Sequence, residues 1–177
     1  MLESPPPNPL ELLNPVRWQL LRSIDEVVPG RRIAGRAVTD FPDELFADHF
    51  PSFPVTPGVL LVELGAQLGG ALVQASVWQE RGRLVFPVLA MIREAKFRSF
   101  VPPHAELEIA AELVSLREDA ALVKARLTRG GERRATMELA LAFDPEGGAA
   151  GGDPRALAAH VRSELDRLGS PWRPPEG

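Results

Sequence analysis

The sequence predicts an α+β fold in which one long apolar helix lies against an antiparallel sheet. Residues 59–78 are apolar on almost every side, broken only by a sparse polar stripe. The segments before and after alternate polar and apolar residues, with turn signals between them, and no repeating strand–helix–strand unit appears. Residues 1–9 are rich in proline and are expected to be disordered, and Leu10–Leu21 reads as a short helix. Strands are expected at 23–28 and 32–39, joined by a Pro29-Gly30 turn. Thr56 is a suitable N-cap and Pro57 suits the first helical position, where a missing N–H costs nothing. Gly82 should end that helix, and a strand from Leu84 to Phe97 should be bent by Pro87. Three more strands, Glu106–Leu116, Ala121–Arg129 and Glu132–Phe143, alternate well, with Arg117-Glu118-Asp119 and Gly130-Gly131 as their hairpin turns. A Gly/Ala-rich linker at 144–152 separates this core, 10–143, from a C-terminal segment, 153–177. There Asp153-Pro154 should open a second helix whose stripe of Leu157, Ala158, Val161, Leu165 and Leu168 docks back on the domain or on another copy, with Gly169 as its stop.

Composition narrows the classes. A chain of 177 residues with 45% hydrophobic content suits one domain with a sizeable core. Cysteine is absent, which excludes disulfides and thiolate metal sites. A net charge of −4 without any basic run argues against nucleic-acid binding. The first residues lack the charged start and apolar run of a signal peptide, so a cytoplasmic location is expected. Val59–Trp78 is long enough to span a membrane and carries a Gly65/Gly69 pair of the kind found in membrane helix dimers. Glu63, Gln67 and Gln74 weigh against that reading, since a central acidic residue alone costs about 2.5–3.5 kcal/mol on insertion scales. The glycines are better read as close packing against a sheet.

The chemistry is concentrated in HFPSFPVTPGVLLVELGAQ, residues 49–67. Prolines at 51, 54 and 57 stiffen the approach to the helix, so His49 is held in place. At the helix start the backbone N–H of Gly58 is an unpaired donor at the positive end of the helix dipole, fit to face a carbonyl oxygen that gains charge during reaction. Glu63 and Gln67 share one stripe, continued by Gly70 and Gln74, and Glu63 is expected in a largely dry place, which suits a carboxyl that gives or takes a proton. A histidine, a sheltered carboxyl and a helix-terminal N–H make a minimum set for moving protons beside a polarised carbonyl.

Those residues resemble the β-hydroxyacyl-acyl-carrier-protein dehydratases of the hot-dog fold. The family pattern GHFPxxPVxPGVLxxExxAQ is similar to DHFPSFPVTPGVLLVELGAQ, Asp48 to Gln67, and KFRxPVxPGDxL is similar to the stretch within Met91–Ile109. With the strands around them, the two blocks cover about residues 20–143. The resemblance implies His49 as the base at the carbon next to a thioester and Glu63 as the acid for the departing 3-hydroxyl. It implies Gly58 as donor to the thioester carbonyl, Gln67 as a residue that orients Glu63 or a water, and Phe50, Pro57, Val59 and Phe97 as substrate-binding positions. It further implies a homodimer with His and Glu contributed by different protomers, and a trimer of dimers as a larger option. The implied substrate is a 3-hydroxyacyl group on the phosphopantetheine of acyl carrier protein, with no metal or organic cofactor. Arg93, Lys96 and Arg98 are candidates to receive that acidic carrier, against a plainer role as a solvated strand face.

The chain departs from the pattern at Asp48 and Ser52, where glycines are usual, and at Phe100, His104 and Ala105 in the second block. It contains no tyrosine, so Phe86, Phe97 or Phe100 would have to serve as an aromatic gate. These departures bear on the acyl group more than on the reaction. A dedicated polyketide or other special-acyl dehydratase therefore stands beside fatty acid synthesis. A hot-dog thioesterase and a non-catalytic acyl-thioester binder are the readings outside the dehydratase class.

Overall fold

Six strands form one antiparallel sheet around a long central helix and, counted along the chain, stand in it in the order first, second, fourth, fifth, sixth, third. The structure, a computed structural model, describes residues 20–145 and 154–174. The elements are β1 (Leu21–Val28), β2 (Arg32–Val38), α1 (Asp43–Asp48), α2 (Gly58–Arg81), β3 (Val88–Phe97), β4 (Glu106–Leu116), β5 (Ala120–Arg129), β6 (Glu132–Ala142) and α3 (Pro154–Arg167). This is the α+β arrangement that the sequence predicts, with an added C-terminal helix. The proline-rich 1–9 and most of the linker lie outside the described residues, as does the short helix expected over Leu10–Leu21, except at its end, where Leu21 already belongs to β1.

Alternation along the strands decides which face holds α2. Leu107, Ile109 and Ala111 of β4, Val123, Ala125 and Leu127 of β5, and Ala135, Met137, Leu139 and Leu141 of β6 all point inward and are buried. They close on Leu61, Leu64, Leu68 and Leu72 of α2. Each fully buried leucine contributes about 1.5–3 kcal/mol relative to leaving it in water. Gly65 and Gly69 bring the helix close to the sheet. A Cβ at 65 would lie 2.5 Å from the Met137 sulfur, and one at 69 would lie 2.9 Å from a Val123 methyl. The small-residue pair thus serves helix-on-sheet packing.

The start of α2 differs from the expected cap. Pro57, not Thr56, is the N-cap, and no side chain caps the helix. Thr56 is buried, and its hydroxyl donates instead to the Pro102 carbonyl at 3.1 Å while its N–H bonds the Val101 carbonyl at 2.7 Å. That long-range anchor competes with the local cap and wins. At the other end Gly82 takes φ 65° and its N–H bonds Trp78, as the sequence indicated. The β1–β2 turn is tied to the helix by Ser76, whose hydroxyl accepts from the Gly30 N–H at 2.8 Å and donates to Leu72 at 2.6 Å.

The two edges of the sheet differ. β3 starts only at Val88, after Pro87, and lies at one edge with Val88, Leu89, Met91, Ile92 and Phe97 all exposed. At the other edge α3 packs over β1: Val161, Leu165 and Leu168 are buried, the Ile24 N–H donates to the Leu168 carbonyl at 3.0 Å, and the Arg167 guanidinium donates to the Leu21 carbonyl at 3.0 Å. Gly169, at φ 59°, ends the chain's last helical turn. The Asp153 cap and the side chain of Leu157 lie outside the described residues.

Candidate active site

His49 follows α1 directly, an element the sequence did not reveal because six residues offer little periodicity. Phe46 of α1 is buried against Phe41 and meets the edge of the His104 ring. His104 in turn bonds Asp40 at 3.0 Å. This fixes the platform from which His49 extends, its N–H bonded to the Phe46 carbonyl. The His49–Phe50 peptide bond is cis. The main chain of His49 also accepts from the Val55 N–H at 3.1 Å, and the ring Nδ1 lies 3.2 Å from the Val55 carbonyl oxygen. A carbonyl can only accept, so Nδ1 carries the hydrogen and Nε2 keeps its lone pair free. His49 is half-buried.

Gly58 is the first residue of α2, so its N–H has no carbonyl one turn earlier in the helix. The ring of Phe97 covers its α-carbon: a Cβ at 58 would meet that ring at 2.9–3.2 Å. A larger residue there would have to push this half-exposed ring aside. Pro57 is half-buried, whereas Phe50, Val59 and Phe97 are exposed at 55%, 73% and 50%. Phe53 and Phe100 pair edge to face at 5.5 Å and are exposed as well. Such a concentration of exposed rings on a small domain marks a contact surface.

Glu63 sits one and a half turns further along α2. It is half-buried, not enclosed, because its side of the helix opens into a groove. The Gln67 amide donates to Glu63 Oε1 at 2.9 Å, and the Gln67 oxygen accepts from the Leu20 N–H at 3.3 Å. Gln67 thereby sets the direction of the carboxyl. The groove holds about 670 Å³ and runs along Glu63, Gln67, Gly70 and Gln74, between Phe86–Leu89 on one side and α3 on the other. Neither His49 nor Gly58 lines it. Within one chain the histidine and the carboxyl are thus on different surfaces.

Two features were not legible beforehand. His160, exposed on α3, lines the Glu63 groove together with Glu164. The i, i+4, i+7 spacing of His160, Glu164 and Arg167, beside the apolar stripe, was the available signal. Arg93 and Lys96 are engaged by Glu138 at 2.7 Å and Glu94 at 2.8 Å, while Arg98 shares a shallow cleft with Arg126 and Arg133.

Comparison with known proteins places these observations. A FabA-like domain family model matches residues 13–138. The 3-hydroxyacyl-[acyl-carrier-protein] dehydratase FabZ of Clostridium acetobutylicum is 33% identical over 120 residues, which cover 68% of this chain and 83% of that protein. The FabZ of Bacillus subtilis is 36% identical over 124 residues, 70% of this chain and 86% of that protein. Among solved structures, a conserved protein of Pseudomonas aeruginosa superposes with a TM-score of 0.53 at 15% identity, covering 73% of this chain and 100% of that one. A hypothetical thioesterase of Streptococcus pneumoniae with coenzyme A gives 0.53 at 11% identity, over 68% of this chain and 86% of that one. At such identities the structural likeness speaks for the shared hot-dog fold alone.

Proposed function

This chain belongs to the FabA-like domain family, and from that premise we propose that it is a 3-hydroxyacyl-[acyl-carrier-protein] dehydratase of fatty acid synthesis, with His49 as base and Glu63 as acid. The observation that carries the residue assignment is the fixed tautomer of His49, whose Nδ1–H is committed to Val55 while Nε2 is left to accept a proton. Nε2 removes a proton from C2 of the acyl group. The electron pair moves onto the thioester oxygen, where the Gly58 N–H and the dipole of α2 stabilise the charge. Glu63, protonated and steered by Gln67, gives its proton to the C3 hydroxyl. The C3–O bond breaks, water leaves, and the electrons return to form the trans C2–C3 double bond. Proton exchange through water then restores neutral His49 and protonated Glu63.

A homodimer supports this chemistry, since one chain keeps His49 out of the Glu63 groove. β3 is an edge strand with apolar residues on both faces, a surface suited to a second copy. The enzyme acts in the cytoplasm, and Arg98, Arg126 and Arg133 offer an acidic carrier protein a cationic surface.

The test is conversion of a 3-hydroxyacyl-carrier thioester to its trans-2-enoyl product, read by mass spectrometry for the parent, His49→Ala and Glu63→Gln. Both variants should lose turnover while remaining folded. Mixing the two inactive proteins should restore about a quarter of parent activity, because random exchange makes half the dimers mixed and each then has one intact site. Failure of mixing to restore activity would refute a site shared between protomers. Thiol release in place of dehydration would move the assignment to a thioesterase.

A further inference from the structure

α3 falls outside the stretch 13–138 that the family model matches, yet it forms a wall of the groove that receives Glu63. The helix is held there by the buried side chains Val161, Leu165 and Leu168, by the Ile24 N–H donating to the Leu168 carbonyl and by the Arg167 guanidinium donating to the Leu21 carbonyl. Its inner face meets the polar stripe of α2 across the groove, and His160 and Glu164 stand among the lining residues. From Glu63 to Gln74 the groove floor extends about 16 Å at the rise of an α-helix, room for an extended acyl chain. Midway lies Gly70, whose main chain is buried but above which a Cβ would meet nothing within 4 Å. In a helix otherwise pressed against its neighbours, an open position on the groove side is room for a ligand. Gln74 is occupied elsewhere, its amide donating to the Val85 carbonyl at 3.2 Å, so the distant part of the floor is left largely apolar by Ala71, Leu141 and Phe86.

We propose that α3 is a specificity-determining wall of the acyl site: the chain attached at C3 of the substrate runs from Glu63 over Gly70 and between α2 and α3, and α3 sets the length of acyl group that is accepted. This rests on the dehydratase reading for the position of C3 beside Glu63. An apolar occupant fits because apolar residues, Ile24, Ala66, Ala71, Leu141, Val161 and Leu165 among them, supply most of the walls. His160 and Glu164 place polar groups beside this apolar path, where an acyl chain with a branch or bulky end would lose contact with the wall.

The test uses the full-length protein, Gly70→Leu, His160→Trp and a chain ending at residue 152, with 3-hydroxyacyl and trans-2-enoyl N-acetylcysteamine thioesters of four to fourteen carbons as probes (about the span of the groove at helical rise). Turnover gives kcat/KM for each length, and calorimetry gives the affinity of each enoyl thioester without need of catalysis. Gly70→Leu blocks the floor and should lower kcat/KM and affinity for the longest probes at least tenfold while the shortest keep parent values within about twofold. His160→Trp, which leaves the buried contacts of α3 in place, should shift preference in the same direction. Loss of α3 should flatten the length profile; if that protein does not fold, His160→Trp decides. Length profiles unchanged in both Gly70→Leu and His160→Trp would overturn the proposal and mean that the groove is filled by protein. If the parent binds the probes but dehydrates none, the dehydratase reading falls, and the dependence of affinity on length in the variants still judges α3.

Discussion

Replacing glycine by alanine adds the same methyl group wherever it is done, but at two positions in this chain it should act with opposite sign. Gly35 in β2 faces β1 so closely that a Cβ would lie 2.2 Å from the Ser23 carbonyl oxygen and 3.2 Å from the Ile24 α-carbon. Those are main-chain atoms, which no rotamer change can move. An ordinary carbon–oxygen contact therefore requires β1 to retreat by about 1 Å, given optimal non-bonded separations near 3.5 Å. β1 carries Leu21 and Ile24, both buried, and accepts α3 through Ile24 and Leu21. Overpacking of a core costs about 1–3 kcal/mol, and the rigidity of this contact argues for the upper end, about 3 kcal/mol. At Gly70 the methyl enters open space inside a helix, where alanine gains about 0.8–1 kcal/mol over glycine. The two variants should differ by about 4 kcal/mol. Urea unfolding at one fixed protein concentration measures this, with the m-value checked for constancy and concentration held because any self-association couples to folding. A midpoint for Gly35→Ala equal to the parent's, or a lower one for Gly70→Ala, would refute the steric reasoning.

Other outcomes follow from the same packing and hydrogen bonding. Thr39 is fully buried, its hydroxyl donating to the Pro102 carbonyl at 3.0 Å and accepting from the Ala105 N–H at 2.9 Å, so Thr39→Val should cost about 1–3 kcal/mol in unfolding free energy by stranding the Ala105 N–H, while the Pro102 carbonyl keeps its bond from Thr56. Leu68→Ala removes a fully buried side chain between α2 and the sheet and should cost about 2–5 kcal/mol by the same assay. Charges at exposed Met91 and Ile92, introduced as Met91→Lys with Ile92→Lys, should yield monomers in sedimentation and abolish dehydration although His49 and Glu63 are untouched. Arg32 forks onto Glu26 at 2.6 and 3.2 Å, and this bond holds the Glu26 carboxyl below the ordinary carboxylate range. With the folded value below the unfolded one, the pair's small contribution is present near neutral pH and is lost as pH falls through the lowered value. NMR titration of Glu26 should show the midpoint rising toward the ordinary range in Arg32→Gln.

Most of the fold was legible because it rests on long periodic segments. β4 begins and ends where its alternation does, β5 and β6 differ from expectation by a single residue each, and Gly82 stops α2 as a left-handed cap. What misled was tertiary competition. Thr56 has the chemistry of an N-cap, but its hydroxyl is drawn to Pro102, forty-six residues away, a bond no local pattern announces. Pro87 was seen as a bend in one strand, whereas the residues before it make only a bridge and Val85 turns its carbonyl to Gln74. In the candidate site, the order of His49, Gly58, Glu63 and Gln67 was readable from spacing, and so was the Gln67–Glu63 contact, because residues four apart on a helix are neighbours. The groove was not readable. Its walls come from β1, α2, the segment at Phe86 and α3, which are joined only by folding.

The two unlike edges of the sheet also limit how copies can add to one another. On β1 the Ile24 N–H is already spent on Leu168, while no strand lies beyond β3 among the described residues. A unit with two bare edges has a valence of two and grows head to tail into fibres. With one bare edge the valence is one: a second copy related by a twofold axis consumes both available edges at once, and no strand is left for a third. The segment at the end of α3, through Leu168 and Arg167, thus occupies part of the edge that β1 would otherwise offer and leaves β3 as the freer edge for strand pairing.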